Sequence, residues 1–179
     1  MPLFYTRKGD KGVSHIGKTK VSKTCLEVEA LGQLDELNSM IGILKSQKTS
    51  KELKNILHQI QENLFIVQAH VANIMMGQSF QAPSFKSLKI NEAEKIIDRI
   101  EKKLKPIRGF IISGVNQTSS WLDFLRAKSR NVERSVLKIG KVEKLNPDIK
   151  AYLNRLSSLL FALARWEARD KKEKHPSYK

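Results

Sequence analysis

The sequence predicts an all-α protein, a five-helix up-and-down bundle with a glycine-rich N-terminal arm. Two observations carry this prediction. Five segments place apolar residues at spacings of three and four, which puts them on one face of a helix, and caps or helix breakers stand at several of their ends. With 40% hydrophobic and 28% charged residues, the chain of 179 residues has the composition and length of one globular domain. We therefore expect a single domain over residues 1–179, with residues 1–24 as the arm.

Each predicted helix has one apolar stripe, by which it can pack against its neighbours. The first helix runs roughly from residue 25 to 47. In chain order, the stripes are Leu34, Leu37, Ile41 and Leu44; Leu53, Leu57, Ile60, Leu64, Val67, Val71 and Ile74; Ile90, Ala93, Ile97, Ile100 and Leu104; Leu122, Leu125, Val132, Val136 and Ile139; and Ile149, Leu153, Leu156, Leu160, Leu163 and Trp166.

The ends of the helices are predicted from caps and breakers. Ser87 and the pair Asn146-Pro147 are expected to begin the third and fifth helices. Pro106 and Gly140 are expected to end the third and fourth. Residues 77–87 and 105–117 have the composition of loops, and only residues 3–6 and 109–113 are candidates for short strands.

The net charge of +15 leaves three classes of partner open: nucleic acid, an anionic membrane or a polyanionic small molecule. The single cysteine, Cys25, excludes an intrachain disulfide and a cysteine-based zinc site. No stretch approaches the roughly 18 apolar residues of a membrane span, so we expect a cytoplasmic location and no membrane partner.

The N-terminal arm contains a literal match to the Walker A pattern at residues 12–19. In a P-loop fold that pattern follows a buried strand and opens a helix, whereas here the preceding strand would be short and the rest of the chain is helical. The fold is therefore rejected, but phosphate binding is not, because glycines and cations lie close together. The cations are Arg7, Lys8, Lys11, Lys18 and Lys20, and the hydroxyls are Thr6, Ser14 and Thr19. The alternative is a flexible basic arm.

The fourth predicted helix places polar residues on one side. Arg126, Arg130 and Arg134 recur every four residues and form one ridge, with Glu133 beside it and Asp123 on the same side. Arginine forks suit phosphate groups, so one interpretation is an anion site. The other is a solvated face with intrahelical ion pairs.

Two other helices carry polar residues beside their apolar stripes. Asp35 and Asn38 do so in the first helix, and Asn154 and Arg155 in the fifth. Because buried polar groups need partners, these positions suggest one shared polar seam. The alternative is that each is a residue at the boundary of the core.

Four segments together resemble the PduO-type ATP:cob(I)alamin adenosyltransferases over nearly the whole chain. They are YTRKGDKG at 5–12, VEALGQLDELNS at 28–39, RAKSRNVER at 126–134, and YLNRLSSLLF at 152–161 running into ARWE at 164–167. The resemblance implies transfer of the adenosyl group of ATP to cob(I)alamin, giving adenosylcobalamin and triphosphate. It also implies a homotrimeric bundle with active sites at subunit interfaces.

The same resemblance assigns roles to residues of this chain. ATP with Mg²⁺ would be wrapped by the arm, and the metal would be bound mainly through the phosphates rather than by a protein motif. Arg126 would pair with Asp35 across the interface, and Phe110 would help displace the lower ligand of cobalamin. The residues assigned to ATP are Thr6, Arg7, Gly9, Asp10, Lys11, Gly12, Ser14, Lys20, Arg130, Glu133, Arg134 and Asn154.

The chain departs from the family pattern at several positions. Lys8 stands where threonine is usual, Val13-Ser14 where two threonines are usual, Asn131 where a second arginine is usual, and Asp123 where histidine is usual. Two other functions stay open at this point: a basic helical nucleic-acid-binding protein without enzymatic activity, and a structural bundle with an inactive site. The first lacks a helix-turn-helix, a zinc finger and an aromatic platform, so no nucleic-acid partner is expected.

Overall fold

The structure is a computed structural model that describes residues 4–5, 7–17, 19–106 and 109–178. This part of the chain contains five α-helices and one two-stranded sheet, and the prediction of an all-α, five-helix bundle is confirmed. The elements are β1 (Val13–Ile16), β2 (Thr19–Ser22), α1 (Leu26–Ser46), α2 (Lys51–Met75), α3 (Leu88–Glu101), α4 (Gln117–Leu137) and α5 (Pro147–Ala168), with a 3₁₀ turn at Val142–Lys144 before α5.

Successive helices alternate in direction. Helix α4 lies between α1 and α5, α2 packs on α1, and α3 packs on α5. The amide of Gly140, just after α4, donates to the side chain of Glu27 at the start of α1 over 3.0 Å, so these neighbours are antiparallel. None of the helices in the described ranges combines the length and the apolar character needed to cross a membrane.

The predicted stripes form the core. Every residue of the α1 and α2 stripes is buried. The α4 stripe, including Ile139 just after the helix, is also buried, and so is the α5 stripe except for Trp166. In α3 only Ala93 and Ile100 are buried, while the other three stripe residues are partly exposed. The reason is that α3 packs mainly against one neighbour, α5, and so has a narrower covered face.

Three of the predicted helix boundaries need correction. Ser87 precedes α3, but it already has helical angles (φ −53°, ψ −24°) and its side chain makes no capping hydrogen bond. Helices α3 and α4 end at Glu101 and Leu137, before the breakers at residues 106 and 140, in short turns. The cap at Asn146 is confirmed, since its side chain accepts from the amide of Asp148 over 2.9 Å.

The sequence analysis missed a β-hairpin in the arm. Strands β1 and β2 pair antiparallel, with Ser14 opposite Val21, and Gly17 opens the connection between them with φ +58°. The Walker-like segment is therefore a hairpin, and the rejection of a P-loop fold is confirmed. Of the two candidate strands, 109–113 forms only an isolated bridge, from Ile112 to Lys174. In 3–6, the described residues 4 and 5 are not in a strand, and residues 3 and 6 lie outside the described residues.

Candidate functional site

Helix α4 carries the polar residues that were expected to bind an anion. Its start is fixed by a capping box, in which Asn116 and Ser119 each satisfy the other's backbone amide. Along the helix, Arg126 and Glu133 are half-buried, whereas Arg130 and Arg134 are exposed. Arg130 makes no hydrogen bond or ion pair with any described residue, so its guanidinium is available to a ligand.

Glu133 and Asn154 are brought together between α4 and α5. The amide nitrogen of Asn154 donates to Oε1 of Glu133 over 3.1 Å, and Arg134 donates to Asn131 one turn earlier on α4. The exposed amide oxygen of Asn154 and the second carboxylate oxygen of Glu133 remain as acceptors. These two residues thus form a polar pair of the kind that accepts hydrogen bonds from ribose hydroxyls.

Arg126 lies in the wall of a cavity of about 610 Å³ between α3, α4 and α5. Its Nε is buried and has no hydrogen-bond partner among the described residues. A buried guanidinium nitrogen without an acceptor is costly, which suggests that a ligand or another chain supplies one. The cavity is otherwise lined largely by apolar groups: Ile97, Ile100, Leu104, Pro106, Phe161 and Ala162, together with the polar residues Glu101, Lys105, Ser157, Ser158 and Arg165.

Asp35 lies on a different face of the bundle from Arg126. It is exposed and lines a groove of about 570 Å³ between α1 and α2, beside Phe65 and Ile16. No ion pair joins Asp35 to Arg126 within the described chain. Their predicted pairing across a subunit interface stays a prediction.

The single polar seam expected from α1 and α5 does not form, and that prediction is wrong. Asn154 pairs with Glu133 of α4 and Arg155 with Glu94 of α3 over 2.9 Å. Asp35 is exposed, and the buried side-chain oxygen of Asn38 has no hydrogen-bond partner among the described residues. Helix α4 lies between α1 and α5, so the polar residues of those two helices do not meet.

The arm places its predicted residues in two tight turns and the hairpin. The amide of Asp10 donates to the carbonyl of Arg7, and that of Gly12 to the carbonyl of Gly9. Arg7, Asp10, Lys11 and Lys20 are exposed, and Ser14 is half-buried on β1. Within the described residues, no hydrogen bond joins Arg7, Asp10, Lys11, Ser14 or Lys20 to the polar face of α4. Thr6 and Lys18 lie outside the described residues.

Phe110 is 76% exposed in the loop before α4. The backbone around it is attached to the C-terminal segment at two points. The amide of Ile112 donates to the carbonyl of Lys174 over 2.8 Å, and Nδ1 of His175 donates to the carbonyl of Phe110 over 2.8 Å. The ring is therefore presented outward on a loop whose backbone is fixed.

The sequence analysis missed a buried ionic cluster beside the Arg126 cavity. Arg165 of α5, only 3% exposed, donates to the carboxylates of Asp123 and Glu173, each over 2.5 Å. Its guanidinium also lies over the Phe161 ring, 5.2 Å from the centroid. The sequence signal for this cluster was that Arg165 directly follows the apolar run 159–164 and precedes Trp166. Asp123, one of the departures from the family pattern, thereby has a partner.

Burial shifts the pKa of two side chains on α5. Burial raises the pKa of Tyr152 to about 12, against the opposing effect of its hydrogen bond with Asn63. Burial also raises the pKa of Glu167, while the positive charge of Arg169 lowers it. Within the described ranges, no three His, Cys, Asp or Glu side chains are grouped so that they could hold a metal ion.

Comparisons with known proteins place the chain in a family. The family described as cobalamin adenosyltransferase matches residues 4–167. The chain is 34% identical to a corrinoid adenosyltransferase of Citrobacter freundii, over 93% of this chain and 96% of that protein. It is also 34% identical to the corrinoid adenosyltransferase PduO of Salmonella typhimurium, again over 93% of the chain, but it spans only 50% of that protein's length.

The fold is also that of a solved enzyme. A variant of the PduO-type ATP:corrinoid adenosyltransferase of Lactobacillus reuteri, complexed with cobalamin and ATP, superposes with a TM-score of 0.88 at 30% identity, over 97% of this chain and 99% of that one. The prediction of an ATP:corrinoid adenosyltransferase is confirmed, and the alternative of a nucleic-acid-binding protein gains no support. On its sequence and its fold, the chain belongs to the cobalamin adenosyltransferase family.

Proposed function

We propose that this chain transfers the 5′-deoxyadenosyl group of ATP to a Co(I) corrinoid and releases triphosphate. The observation that carries the proposal is the position of Arg126. Its buried, unpartnered nitrogen lies in the wall of a largely apolar cavity, and the exposed Arg130 and the Glu133–Asn154 pair follow along the same two helices. A site for a bulky apolar ring thus adjoins a site for a polyanionic nucleotide.

The nucleotide half of the site combines the arm with the polar face of α4. Arg130, Glu133, Arg134 and Asn154 would bind the ribose and phosphates, since arginine forks suit phosphate oxygens and the Glu133–Asn154 pair suits hydroxyls. In the arm, Arg7, Lys11 and Lys20 would supply positive charge, Asp10 and Ser14 polar contacts, and Gly9 and Gly12 backbone amides without side chains in the way. We also assign Thr6 to this group. Mg²⁺ would be bound mainly by the phosphates.

The corrinoid half of the site is the cavity between α3, α4 and α5. Its volume and apolar lining suit a large ring system. Phe110 lies on the loop between α3 and α4, two of the three helices that contribute walls to this cavity. An exposed aromatic ring at that place can cover the lower face of the corrin and exclude an axial ligand.

The reaction requires positioning and charge neutralisation rather than a protein base. Co(I) is itself a strong nucleophile, so its electron pair forms the bond to the 5′ carbon while the carbon–oxygen bond breaks and its electrons leave with triphosphate. The enzyme must hold the cobalt in line with that carbon and stabilise the departing charge. The cations of α4 and of the arm are suited to the second task.

The assembly that we propose is a homotrimer with its sites between subunits. Support comes from the separation of Asp35 and Arg126 on different faces, and from the apolar groove beside Asp35, where Phe65 is 58% exposed. An exposed aromatic side chain in an apolar groove is typical of an interface. The arm of one subunit would then reach the α4 face of the next.

The direct test of the reaction uses the purified chain, MgATP and chemically reduced cobalamin. We expect the absorbance spectrum to change from Co(I) to adenosylcobalamin, with one triphosphate released per cobalt. Adenosine in place of ATP is the control, because it lacks the leaving group. A folded protein that binds MgATP and gives no alkylated product would indicate a bundle with an inactive site.

A further inference from the structure

Asp123, Arg165 and Glu173 form an ionic cluster beside the Arg126 cavity. Arg165 lines that cavity, but the reaction described above gives the cluster no role. Asp123 lies on α4, Arg165 on α5 and Glu173 in the segment that follows α5. Both carboxylates accept from the same guanidinium, Asp123 from Nη2 and Glu173 from Nη1, each over 2.5 Å. The arginine therefore ties the C-terminal segment to the helical core.

The tied segment is also the one that holds the Phe110 loop. Directly after Glu173, the carbonyl of Lys174 accepts from the amide of Ile112, and His175 donates to the carbonyl of Phe110. No regular element of the described chain pairs with this loop, so these two hydrogen bonds are its main backbone attachment. A continuous series of contacts thus runs from Arg165 to the backbone that presents the exposed ring.

We propose that Arg165, through Glu173, is a positioning residue for Phe110. The proposal rests on the function proposed above, in which Phe110 covers the lower face of the corrin. Asp123 binds one terminal nitrogen of the Arg165 guanidinium, and the Phe161 ring lies beneath the group. The other terminal nitrogen, which binds Glu173, is therefore held in place before any substrate binds. Preorganisation of this kind lets the ring meet the corrin without first ordering the loop.

Arginine suits this role because its planar fork holds two carboxylates at once, whereas lysine is a point charge that cannot maintain both geometries. Removal of Arg165 would leave Asp123 buried without a partner and would endanger the fold. Removal of Glu173 leaves the Asp123–Arg165 pair intact. Glu173→Ala is therefore the informative variant, and Glu173→Gln, which keeps an acceptor oxygen, should have a smaller effect.

The first measurement is hydrogen–deuterium exchange of the free protein, which requires no corrinoid. We expect the Ile112 amide to exchange about tenfold faster in Glu173→Ala. The variant loses the Arg165–Glu173 ion pair, which holds the segment carrying the acceptor of this amide, the carbonyl of Lys174. Glu94→Ala is the matched control. Glu94 also pairs with an arginine of α5, Arg155, but it lies on α3 and not in the C-terminal segment. Equal exchange of Ile112 in the two variants would overturn the proposal.

The second measurement is the electron paramagnetic resonance spectrum of the Co(II) corrinoid bound with MgATP. Glu173→Ala should lower the four-coordinate fraction in the same direction as Phe110→Ala, with Glu173→Gln between it and the parent protein. If Phe110→Ala lowers this fraction and Glu173→Ala does not, the positioning role is wrong. If neither variant changes it while Ile112 exchange still rises, Arg165 holds the loop and the role assigned to Phe110 fails instead.

Discussion

The side-chain amide of Asn154 donates to Glu133 over 3.1 Å, joining the C-terminal part of α4 to the first half of α5. The two residues lie 21 positions apart, and neither belongs to an apolar stripe. Their contact leaves Arg130, one turn before Glu133 on α4, free of any partner among the described residues. An unpaired arginine beside an ordered carboxylate–amide pair is the arrangement that a charged ligand would complete.

The first prediction follows from that free guanidinium. Arg130→Ala should lower kcat/KM for ATP by roughly 10- to 100-fold, because hydrogen bonds to charged groups contribute about 1.5–3 kcal/mol. The corrinoid KM should change little. Arg99→Ala is the control, since Arg99 is an exposed arginine paired with Glu52 outside the site. Unchanged rates at subsaturating ATP would remove Arg130 from the nucleotide site.

The second prediction concerns the assembly. If Asp35 of one subunit meets Arg126 of another, Asp35→Arg places two cations together and should weaken the trimer, while Asp35→Arg combined with Arg126→Asp should restore it. Light scattering measures the mass of both variants. Asp98→Arg, the same charge change on exposed Asp98 of α3, serves as the control. A parent protein that stays monomeric at working concentration would contradict shared interface sites.

The third prediction concerns the arm. Its exposed cations repel one another until phosphates bind between them, so MgATP should reduce tryptic cleavage after Arg7 and Lys11. Cleavage after Lys48, which is exposed between α1 and α2, is an internal control that should not change. Adenosine should protect neither site. Equal cleavage of the arm with and without MgATP would show that it does not wrap the nucleotide.

The fourth prediction concerns the stability of the core at high pH. Burial raises the pKa of Tyr152 from 10.0 to about 12, so between these values the unfolded chain binds fewer protons than the folded one. The free energy of unfolding must therefore fall as the pH rises from 10 to 12, by up to roughly 2–3 kcal/mol.

Tyr152→Phe tests this directly. At pH 8 the variant should lose about 1 kcal/mol of stability, because the side-chain nitrogen of Asn63 loses the Tyr152 hydroxyl as its acceptor. Above pH 10 its stability should decline less steeply than that of the parent protein. Tyr178→Phe, at an exposed tyrosine, should leave the curve unchanged. Parallel denaturation curves for Tyr152→Phe and the parent protein across this range would contradict the pKa assigned to Tyr152.

Periodicity predicted the helices because burial of an apolar stripe has one geometric solution, a helix packed on its neighbours. It did not predict the hairpin at residues 13–22, whose strands are four residues long and only partly buried, so alternation of polar and apolar residues is weak there. Local pattern also overestimated Ser87 as a cap and extended α3 to its proline. Ser87 already has helical angles and makes no capping hydrogen bond, and α3 ends at Glu101, before its proline is reached.

The candidate site, like the fold, was predictable from the sequence only in part. Glu133 and Asn154 could be proposed because they repeat a family pattern, and the structure brings them together. The cluster at Arg165 could not, since it depends on a contact between α4, α5 and a segment without regular structure. Contacts of this kind between distant parts of the chain are set by tertiary packing, and no spacing in the sequence encodes them.

The last prediction concerns Phe110. Its ring is exposed, begins the apolar run 110–112 and lies on a loop that follows α3 and precedes α4. Such a ring under the corrin would exclude water and the nucleotide tail from the lower face of cobalt. Four-coordinate Co(II) has no axial donor to raise its acceptor orbital, so it is easier to reduce to the nucleophilic Co(I).

Phe110→Ala should therefore lose most activity when Co(II) has to be reduced on the enzyme, and less when preformed Co(I) is supplied. The four-coordinate signal of the Co(II) complex with MgATP should fall in the same variant. Phe80→Ala is a suitable control, because Phe80 is another exposed phenylalanine in the loop between α2 and α3. A Phe110→Ala protein that folds, keeps the signal and reduces Co(II) normally would mean that the ring acts in packing alone. The comparison between the two supplies of cobalt decides this, since a general loss of stability or of ATP binding would lower both rates together.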